Sequence, residues 1–101
     1  MDVLLTAQAE RDLDAHVAYV LARNPDAARR LATDILDQIA SLSVFPSRTR
    51  QGRVPGTREL VITGYPYIVV FEIAAQEILI LHINHARQQW PRAPLEEDGP
   101  A

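Results

Sequence analysis

The stretch that decides the fold is Tyr67–Ala86, which reads YIVVFEIAAQEILILHINHA. The first half is rich in Val and Ile and the second in Ile, residues that are enriched in β-strands. Only Ala75 and Gln76 separate the halves, and so short a connection is typical of a β-hairpin. The stretch therefore predicts two neighbouring antiparallel strands. The second is continuously apolar over Ile78–Leu81, which indicates a central strand covered on both faces.

Alternate side chains of a strand point to opposite faces of the sheet. On this basis one face of the first strand is predicted to hold Tyr67, Val69, Phe71 and Ile73, and the other Ile68 and Val70. A third β-rich run, RELVIT (58–63), precedes these two across a turn at Gly64–Pro66. The three runs together predict an antiparallel meander.

The N-terminal half carries helical patterns after a short apolar run, DVLL (2–5), which predicts an edge strand. Thr6 is a suitable N-cap for a first helix, in which apolar residues recur at three- and four-residue steps. Asn24 and Pro25 suit the start of a second helix, which should end near Phe45 because a proline follows. Two helices joined by so short a connection form an antiparallel hairpin.

The elements predict an α+β fold of order β-α-α-β-β-β, with the helical hairpin packed on one face of a small, curled, mainly antiparallel sheet. Residues 46–57 are polar, contain two glycines and two prolines, and are predicted to form a loop. Residues 1–91 should form a single domain, and residues 92–101 a flexible acidic tail.

The amino-acid composition of the chain limits the kinds of site and partner that it can have. The chain has 101 residues and no cysteine, which excludes disulfides and thiolate metal sites. No apolar run is long enough to cross a bilayer, so we expect a cytoplasmic protein with no membrane partner. Lysine is absent, so every cationic side chain is an arginine. Residues 1–45 have seven acids and four arginines, whereas residues 46–92 have six arginines and three acids.

Two polar clusters stand out, and they are predicted to converge at one end of the sheet. The first is the arginine-bearing loop with Arg48, Arg50, Arg53 and Arg58, and the second is the strand end with His82, Asn84, His85, Arg87, Gln88 and Gln89. Arg48 and Arg50 are predicted to be solvated, and Trp90 to anchor the sheet edge. Residues three apart on a strand face opposite ways, so His82 and His85 do not predict a metal site. We expect no cofactor and no small-molecule ligand, and His16 is predicted to be a packing residue.

Several segments in this order resemble the ParE/RelE superfamily of toxins from type II toxin–antitoxin modules. They are AERDLDAHVAYV (9–20), RVPGTREL (53–60), PYIVVFEI (66–73) and ILILHINHARQQWP (78–91). The resemblance covers about residues 2–91. Its most specific parts are the segments Val54–Glu59 and His85–Pro91.

The resemblance implies one of two molecular targets. RelE-like members cut mRNA on the ribosome with a set of basic residues and a tyrosine or histidine, and ParE-like members poison DNA gyrase. This chain lacks lysine, has Pro66 where RelE-like members place an arginine, and has Gln89 or Trp90 at the position of their tyrosine. These departures favour the gyrase poison. A ribosome-dependent endoribonuclease using Arg53, Arg58, His85 and Arg87 is the alternative, and an inactive toxin that only binds antitoxin is a third.

The resemblance also implies two binding surfaces. The cellular target is expected to contact Arg58, His82, His85, Arg87, Gln88, Gln89 and Trp90. A small, partly disordered antitoxin that folds on binding is expected to wrap around the toxin and to fill apolar grooves beside the helical hairpin and the sheet, with Leu21 and Leu36 as candidate contacts.

Overall fold

A computed structural model describes residues 1–44, 46–88 and 90–91. The tail predicted over residues 92–101 lies outside these ranges. Two helices and five strands follow one another along the chain: β1 (Asp2–Leu5), α1 (Ala7–Leu21), α2 (Pro25–Ala40), β2 (Arg50–Gln51), β3 (Arg58–Val61), β4 (Tyr67–Ala74) and β5 (Glu77–His85). None of the helices in the described ranges has the length and hydropathy to cross a membrane.

The strands form one sheet in the order β1-β5-β4-β3-β2. β1 runs parallel to β5, and every other pair is antiparallel. The predicted α+β architecture, with β1 at the edge and a meander of β3, β4 and β5, is confirmed. The prediction of a plain loop over 46–57 is wrong, because this segment contains a 3-10 turn at Pro46–Arg48 and the short strand β2.

Side-chain hydrogen bonds mark the start of each helix, and one residue of positive φ marks the turn between β4 and β5. The Thr6 hydroxyl accepts a hydrogen bond from the Ala9 N–H at 3.2 Å, and the Asn24 side chain accepts from the Ala27 N–H at 3.1 Å. Both predicted N-caps are thereby confirmed. Ala75 has a φ of 49°, the positive value that two-residue hairpin turns require.

The helices cover one face of the sheet, called here the helix face. The core on this face combines one stripe of α2 with side chains of β4 and β5. It comprises Leu31, Ile35, Ile39, Leu42, Tyr67, Val69, Phe71, Ile78, Ile80 and Ile83. The opposite face is called the back face.

The alternation of β5 is interrupted by one extra residue. Val70 pairs with His82 and Phe71 pairs with Ile80, so Leu81 is a β-bulge. The bulge brings Ile83 to the helix face beside Ile80, and it turns His82 and Asn84 to the back face. Without it, the period of two would place Ile80, His82 and Asn84 on one face.

Ile73, near the end of β4, is 41% exposed because β3 pairs with β4 only as far as Phe71, which leaves the end of β4 without a neighbour on that side. One detail of the predicted burial is wrong: β5 is not covered on both faces, since Leu79 and Leu81 are only half-buried. Its central position, between β1 and β4, is confirmed.

Side chains of α1 complete the edge of β5 where β1 ends. β1 pairs with β5 only as far as Ile80. Beyond that point the Ile83 N–H donates to the Asp12 carboxylate at 3.0 Å, and His16 Nε2 lies 2.7 Å from the Ile83 carbonyl oxygen. Because a carbonyl only accepts, His16 carries its proton on Nε2. The role of His16 is therefore polar as well as packing.

A buried carboxylate fastens β2 to β3. Glu59 is 2% exposed and accepts from the Arg50 guanidinium at 2.9 and 3.2 Å. Its second oxygen accepts from the Arg53 N–H at 3.1 Å. The prediction that Arg50 is merely solvated is wrong, because its charge compensates a carboxylate that the sheet has removed from water.

Asp12→Ala removes the acceptor for the Ile83 N–H at the edge of β5. We expect a loss of about 1–3 kcal/mol of unfolding free energy, the usual cost of an unsatisfied partly buried donor. Urea unfolding followed by circular dichroism measures it. Asp14→Ala, at an exposed position of the same helix, is the control and should stay within about 0.5 kcal/mol of the parent. Equal stability of the two variants would contradict the proposed role.

Glu59→Gln replaces the buried carboxylate by a neutral amide, which cannot form an ion pair with the Arg50 guanidinium. We expect about 1–3 kcal/mol of destabilisation, and faster proteolysis within residues 46–57 because β2 loses its attachment. Thermal unfolding and limited trypsin digestion measure the two effects. Glu77→Gln, at an exposed strand position, serves as the control. Unchanged cleavage of the 46–57 segment in Glu59→Gln would refute the role of Glu59 in attaching β2 to β3.

Candidate functional site

The end of β5 turns back sharply and is anchored at three points. The Ala86 N–H donates to the Pro66 carbonyl at 2.7 Å, and the Gln88 N–H donates to the His85 carbonyl at 2.9 Å. The Gln88 side chain in turn accepts from the His85 N–H. These bonds fix the backbone of residues 85–88, so the side chains of Arg87 and Gln88 leave the sheet in defined directions.

The turn brings Trp90 onto the back face of the sheet. Its ring packs on that of His82, with 4.6 Å between centroids. The prediction of Trp90 as an anchor fits this contact. Asn84, at 3% exposure, is buried in the same region. The turn is thus supported from the back face by His82, Asn84 and Trp90, while Arg87 and Gln88 are exposed.

One arginine of the loop reaches this strand end. Arg53 and Glu59 line a narrow cavity together with Ile68, Asn84, His85, Ala86, Gln88 and Trp90. The two clusters predicted to converge therefore meet through Arg53, which the Glu59 carboxylate holds by its backbone N–H. We call the exposed part of this region, formed by Arg53, His85, Arg87 and Gln88, the strand-end surface.

Arg58 does not share the strand-end surface. It is in register with Phe71, in the middle of β4, whereas His85 is in register with Tyr67, at the start of that strand. Its guanidinium donates to the Thr49 hydroxyl at 2.9 Å, to the Ser47 carbonyl at 3.2 Å and to the Thr49 carbonyl. These bonds tie the 46–49 segment to β3.

The hydrogen bonds of His85 define what its ring can do. Its Nδ1 accepts from the Arg87 N–H at 3.0 Å, so in the neutral ring the proton lies on Nε2. The ring meets Tyr67 edge-on, with centroids 5.5 Å apart. His85 therefore presents an N–H donor to an approaching partner rather than a free lone pair.

A second concavity lies on the α1 side of His85. It is a groove of about 460 Å³ lined by Ala15, His16, Tyr19, Val20, Tyr67 and His85. Burial raises the pKa of the Tyr67 phenol above its usual value, and nearby Tyr19 raises it further. A tyrosine is protonated at neutral pH even without such a shift, so the phenol of Tyr67 is a hydrogen-bond donor there.

The sequence did not single out Tyr19 or Tyr67 as residues of the candidate site. Tyr19 is 63% exposed, and the Arg23 guanidinium stacks 3.8 Å from its ring centroid. The i,i+4 spacing of Tyr19 and Arg23 was the available signal, because residues four apart are neighbours on a helix.

The two candidate antitoxin contacts are both accessible, Leu21 at 52% and Leu36 at 41% exposure. Gln89, predicted to contact the target, lies outside the described residues. Within the described ranges, no three His, Cys, Asp or Glu side chains come together in a way that could hold a metal ion.

The sequence matches, over residues 3–90, the family described as the ParE toxin of type II toxin–antitoxin system, parDE. It is 40% identical over 87 residues to Y4kP of Sinorhizobium fredii, which covers 86% of this chain and 90% of that protein. It is 29% identical over 89 residues to toxin RelE1 of Caulobacter vibrioides, covering 86% and 95% of the two chains.

Solved structures share the fold. A chain of the chromosomal ParDE toxin–antitoxin system from P. aeruginosa superposes with a TM-score of 0.78 at 28% identity, covering 84% of this chain and 95% of the other. The toxin–antitoxin complex RelBE2 of Mycobacterium tuberculosis gives a TM-score of 0.59 at 22% identity, covering 83% and 88%. The match across residues 3–90 places this chain in the ParE toxin family of type II toxin–antitoxin systems.

Proposed function

We propose that this toxin arrests growth by poisoning DNA gyrase through the strand-end surface, and that a cognate antitoxin neutralises it. Membership of the ParE family supports the choice of target, and gyrase places the site of action in the cytoplasm. The strand-end surface carries one arginine, an imidazole N–H and an amide on the hydrogen-bonded turn at residues 85–88, and a second arginine, Arg53, on the adjoining loop. Such a surface suits a macromolecular partner with acidic or phosphate groups.

The observation that carries the proposal is that His85 and Arg58, two side chains that a nuclease would need, are already hydrogen-bonded within the toxin. His85 has its Nδ1 bonded to the Arg87 amide, and Arg58 is bonded to Ser47 and Thr49. Tyr67 is protonated at neutral pH, as tyrosines ordinarily are, and burial raises its pKa further. A ribonuclease needs a general base within reach of the 2′-hydroxyl, and neither His85 in its neutral tautomer nor Tyr67 offers one at neutral pH.

The strand-end residues divide into two groups under this proposal. His82, Asn84 and Trp90 support the turn from the back face, and Arg53, His85, Arg87 and Gln88 contact the target. Arg58 acts indirectly, by holding the 46–49 segment in place. Trp90 and His82 therefore affect toxicity through the shape of the turn.

The antitoxin is proposed on the evidence of the comparisons. The P. aeruginosa chain belongs to a ParDE system, and the M. tuberculosis structure is a toxin–antitoxin complex. The exposed leucines of the helical hairpin, Leu21 and Leu36, offer apolar contacts away from the strand-end surface. Because these leucines lie away from the strand-end surface, the strand-end surface can be tested with the toxin alone, without the antitoxin.

Ribosome-dependent mRNA cleavage is the second candidate. The relative of C. vibrioides is named toxin RelE1 and covers 86% of this chain, which favours this reading. His85 could then donate its Nε2 proton to the leaving group, and Arg53 and Arg87 could hold the phosphate. The missing general base would have to come from the ribosome or from the RNA itself.

Supercoiled plasmid incubated with purified gyrase, ATP and this toxin separates the two candidates. A gyrase poison should produce linear DNA covalently linked to protein. Intact DNA alongside an active gyrase, together with cut mRNA on programmed ribosomes, would replace the proposal by the nuclease. Intact DNA and intact mRNA would indicate an inactive toxin.

Arg87→Ala tests the strand-end surface itself. Truncating a contact arginine should lower the yield of linear DNA about 5–30-fold, the effect of losing about 1–2 kcal/mol of binding. Arg29→Ala is the matched control, since Arg29 is exposed on α2 and pairs only with Asp26 among the described residues. Equal activity of both variants, with unchanged melting temperatures, would remove Arg87 from the target contact.

A further inference from the structure

The groove on the α1 side of His85 is lined mainly by rings, and we call it the aromatic groove. Among the described residues around it, the aromatic ones are His16 and Tyr19 of α1, Tyr67 of β4 and His85 of β5. The ring centroids of His16 and Tyr67 lie 4.5 Å apart, and those of Tyr67 and His85 lie 5.5 Å apart. A concavity of about 460 Å³ walled by packed rings has the size and the surface to hold one planar ligand group.

Tyr19 is an exposed wall of the aromatic groove, and it is held in place. Its side chain is 63% exposed, yet the Arg23 guanidinium stacks 3.8 Å from the ring centroid and donates to the Tyr19 carbonyl at 2.7 Å. A stacked guanidinium covers one face of a ring and restricts its rotation. A ligand that stacks on Tyr19 therefore meets a ring that is already ordered, which lowers the entropic cost of binding.

The polar atoms of the aromatic groove include donors and an acceptor. Tyr67 supplies a phenol O–H, and His85 supplies its Nε2–H because its Nδ1 accepts from the Arg87 amide. His16 donates its Nε2 proton to the Ile83 carbonyl, which leaves Nδ1 of the neutral ring as an acceptor. Nucleobases carry donors and acceptors side by side on their edges, so this mixture suits a base.

Positive charge adjoins the aromatic groove at the strand-end surface, to which His85 also belongs. Arg53 and Arg87 are exposed there, and within the described ranges their hydrogen bonds are made by the backbone N–H groups and not by the guanidinium groups. No acidic side chain is among the described residues that line the groove. Guanidinium groups pair bidentately with phosphate, so a ligand with its base in the groove can place a phosphate at the strand-end surface.

We propose that the aromatic groove holds one unpaired nucleotide of DNA, with its base stacked on Tyr19 and its phosphate on Arg87. Aromatic rings beside a cationic surface are the means by which proteins bind single-stranded nucleic acid. This inference rests on the proposed function, because it takes the nucleic acid to be the DNA that gyrase holds. A base in the groove is withdrawn from its own duplex, which gives the toxin a hold on DNA that gyrase has opened.

A cationic side chain of a protein is the less suitable occupant. Cations do stack on tyrosine rings, but the Arg23 guanidinium already lies on one face of Tyr19. The strand-end surface adds the guanidinium groups of Arg53 and Arg87. These like charges oppose the entry of an arginine or a lysine, whereas they attract a phosphate.

Oligonucleotide binding to the isolated toxin tests the aromatic groove. The probes are a single-stranded DNA of about eight nucleotides, the same strand with abasic sites, its duplex, and RNA of the same sequence, all at one salt concentration. Fluorescence anisotropy gives each Kd, and NMR follows the ring signals of Tyr19 and Tyr67. The single-stranded DNA should shift these signals and bind at least about tenfold more tightly than the abasic strand and the duplex.

Tyr19→Leu and Tyr19→Phe are a matched pair. Leucine keeps the apolar bulk but removes the ring, so the Kd for single-stranded DNA should rise at least about tenfold, whereas phenylalanine should stay within about twofold. Tyr19 is exposed, so both variants should keep the melting temperature of the parent. Ile73→Ala, at the opposite end of β4 from Tyr67, is the control and should leave the Kd unchanged. Equal weakening by leucine and phenylalanine would refute the stacking.

The same variants in the gyrase assay separate the groove from the proposed function. Tyr19→Leu should lower the yield of linear DNA at least about fivefold, and Tyr19→Phe should not. Linear DNA formed by a toxin that does not bind single-stranded DNA would overturn the groove and leave gyrase as the target. Binding that depends on Tyr19, without any linear DNA, would support the groove as a DNA site and overturn gyrase poisoning.

Three further results would refute the proposal. Equal affinity for the abasic and the intact strand would show that phosphates bind without a base. RNA bound at least about tenfold more tightly than DNA would favour the ribosomal candidate instead. Shifts of the Tyr19 ring at high toxin concentration or with the cognate antitoxin, and none with DNA, would make a protein the occupant.

Discussion

The extra residue at Leu81 is the constraint on which both faces of the sheet depend. Ahead of it, Ile78 and Ile80 point into the core; after it, Ile83 does, and the intervening His82 faces the other way. A strand with strict alternation could not bury Ile80 and Ile83 on one face. The bulge thus lets one strand supply apolar residues to the helices and polar residues to the back face.

Helix side chains bond the backbone of β5 and of the residues after β3 at points that the edge strands β1 and β2 do not reach. On the β5 side, Asp12 and His16 bond the backbone of Ile83 where β1 has ended. On the β3 side, Gln38 does the same for Thr63. Each of these bonds joins a helix to a strand edge, so they fix the position of the hairpin on the sheet as well as satisfying backbone groups. On the β3 side, Val61 lies between the Gln38 contact at Thr63 and the β2 pairing at Glu59.

The polar residues that crowd the end of the chain serve different purposes. Asn84 is buried, and His82 and Trp90 pack on one another, so their contribution is to the shape of the turn. Arg87 and Gln88 are exposed, and His85 directs an N–H donor outward because its other nitrogen accepts from the Arg87 amide. The Glu59 carboxylate connects this end to the arginine-bearing loop through the backbone of Arg53.

The sequence by itself determined the order of the two helices and of four of the five strands, the two helix caps, the hairpin at Ala75 and the family, because these depend on local periodicity, on turn chemistry and on short motifs. It also indicated that the arginine-bearing loop and the strand end would meet. Tertiary structure alone decided the bulge at Leu81, the pairing of β2 with β3, the exposure of Ile73 and the separation of Arg58 from His85. Those features depend on strand register and on hydrogen bonds between residues distant in the chain, such as Asp12 with Ile83 and Gln38 with Thr63, and no local pattern encodes them.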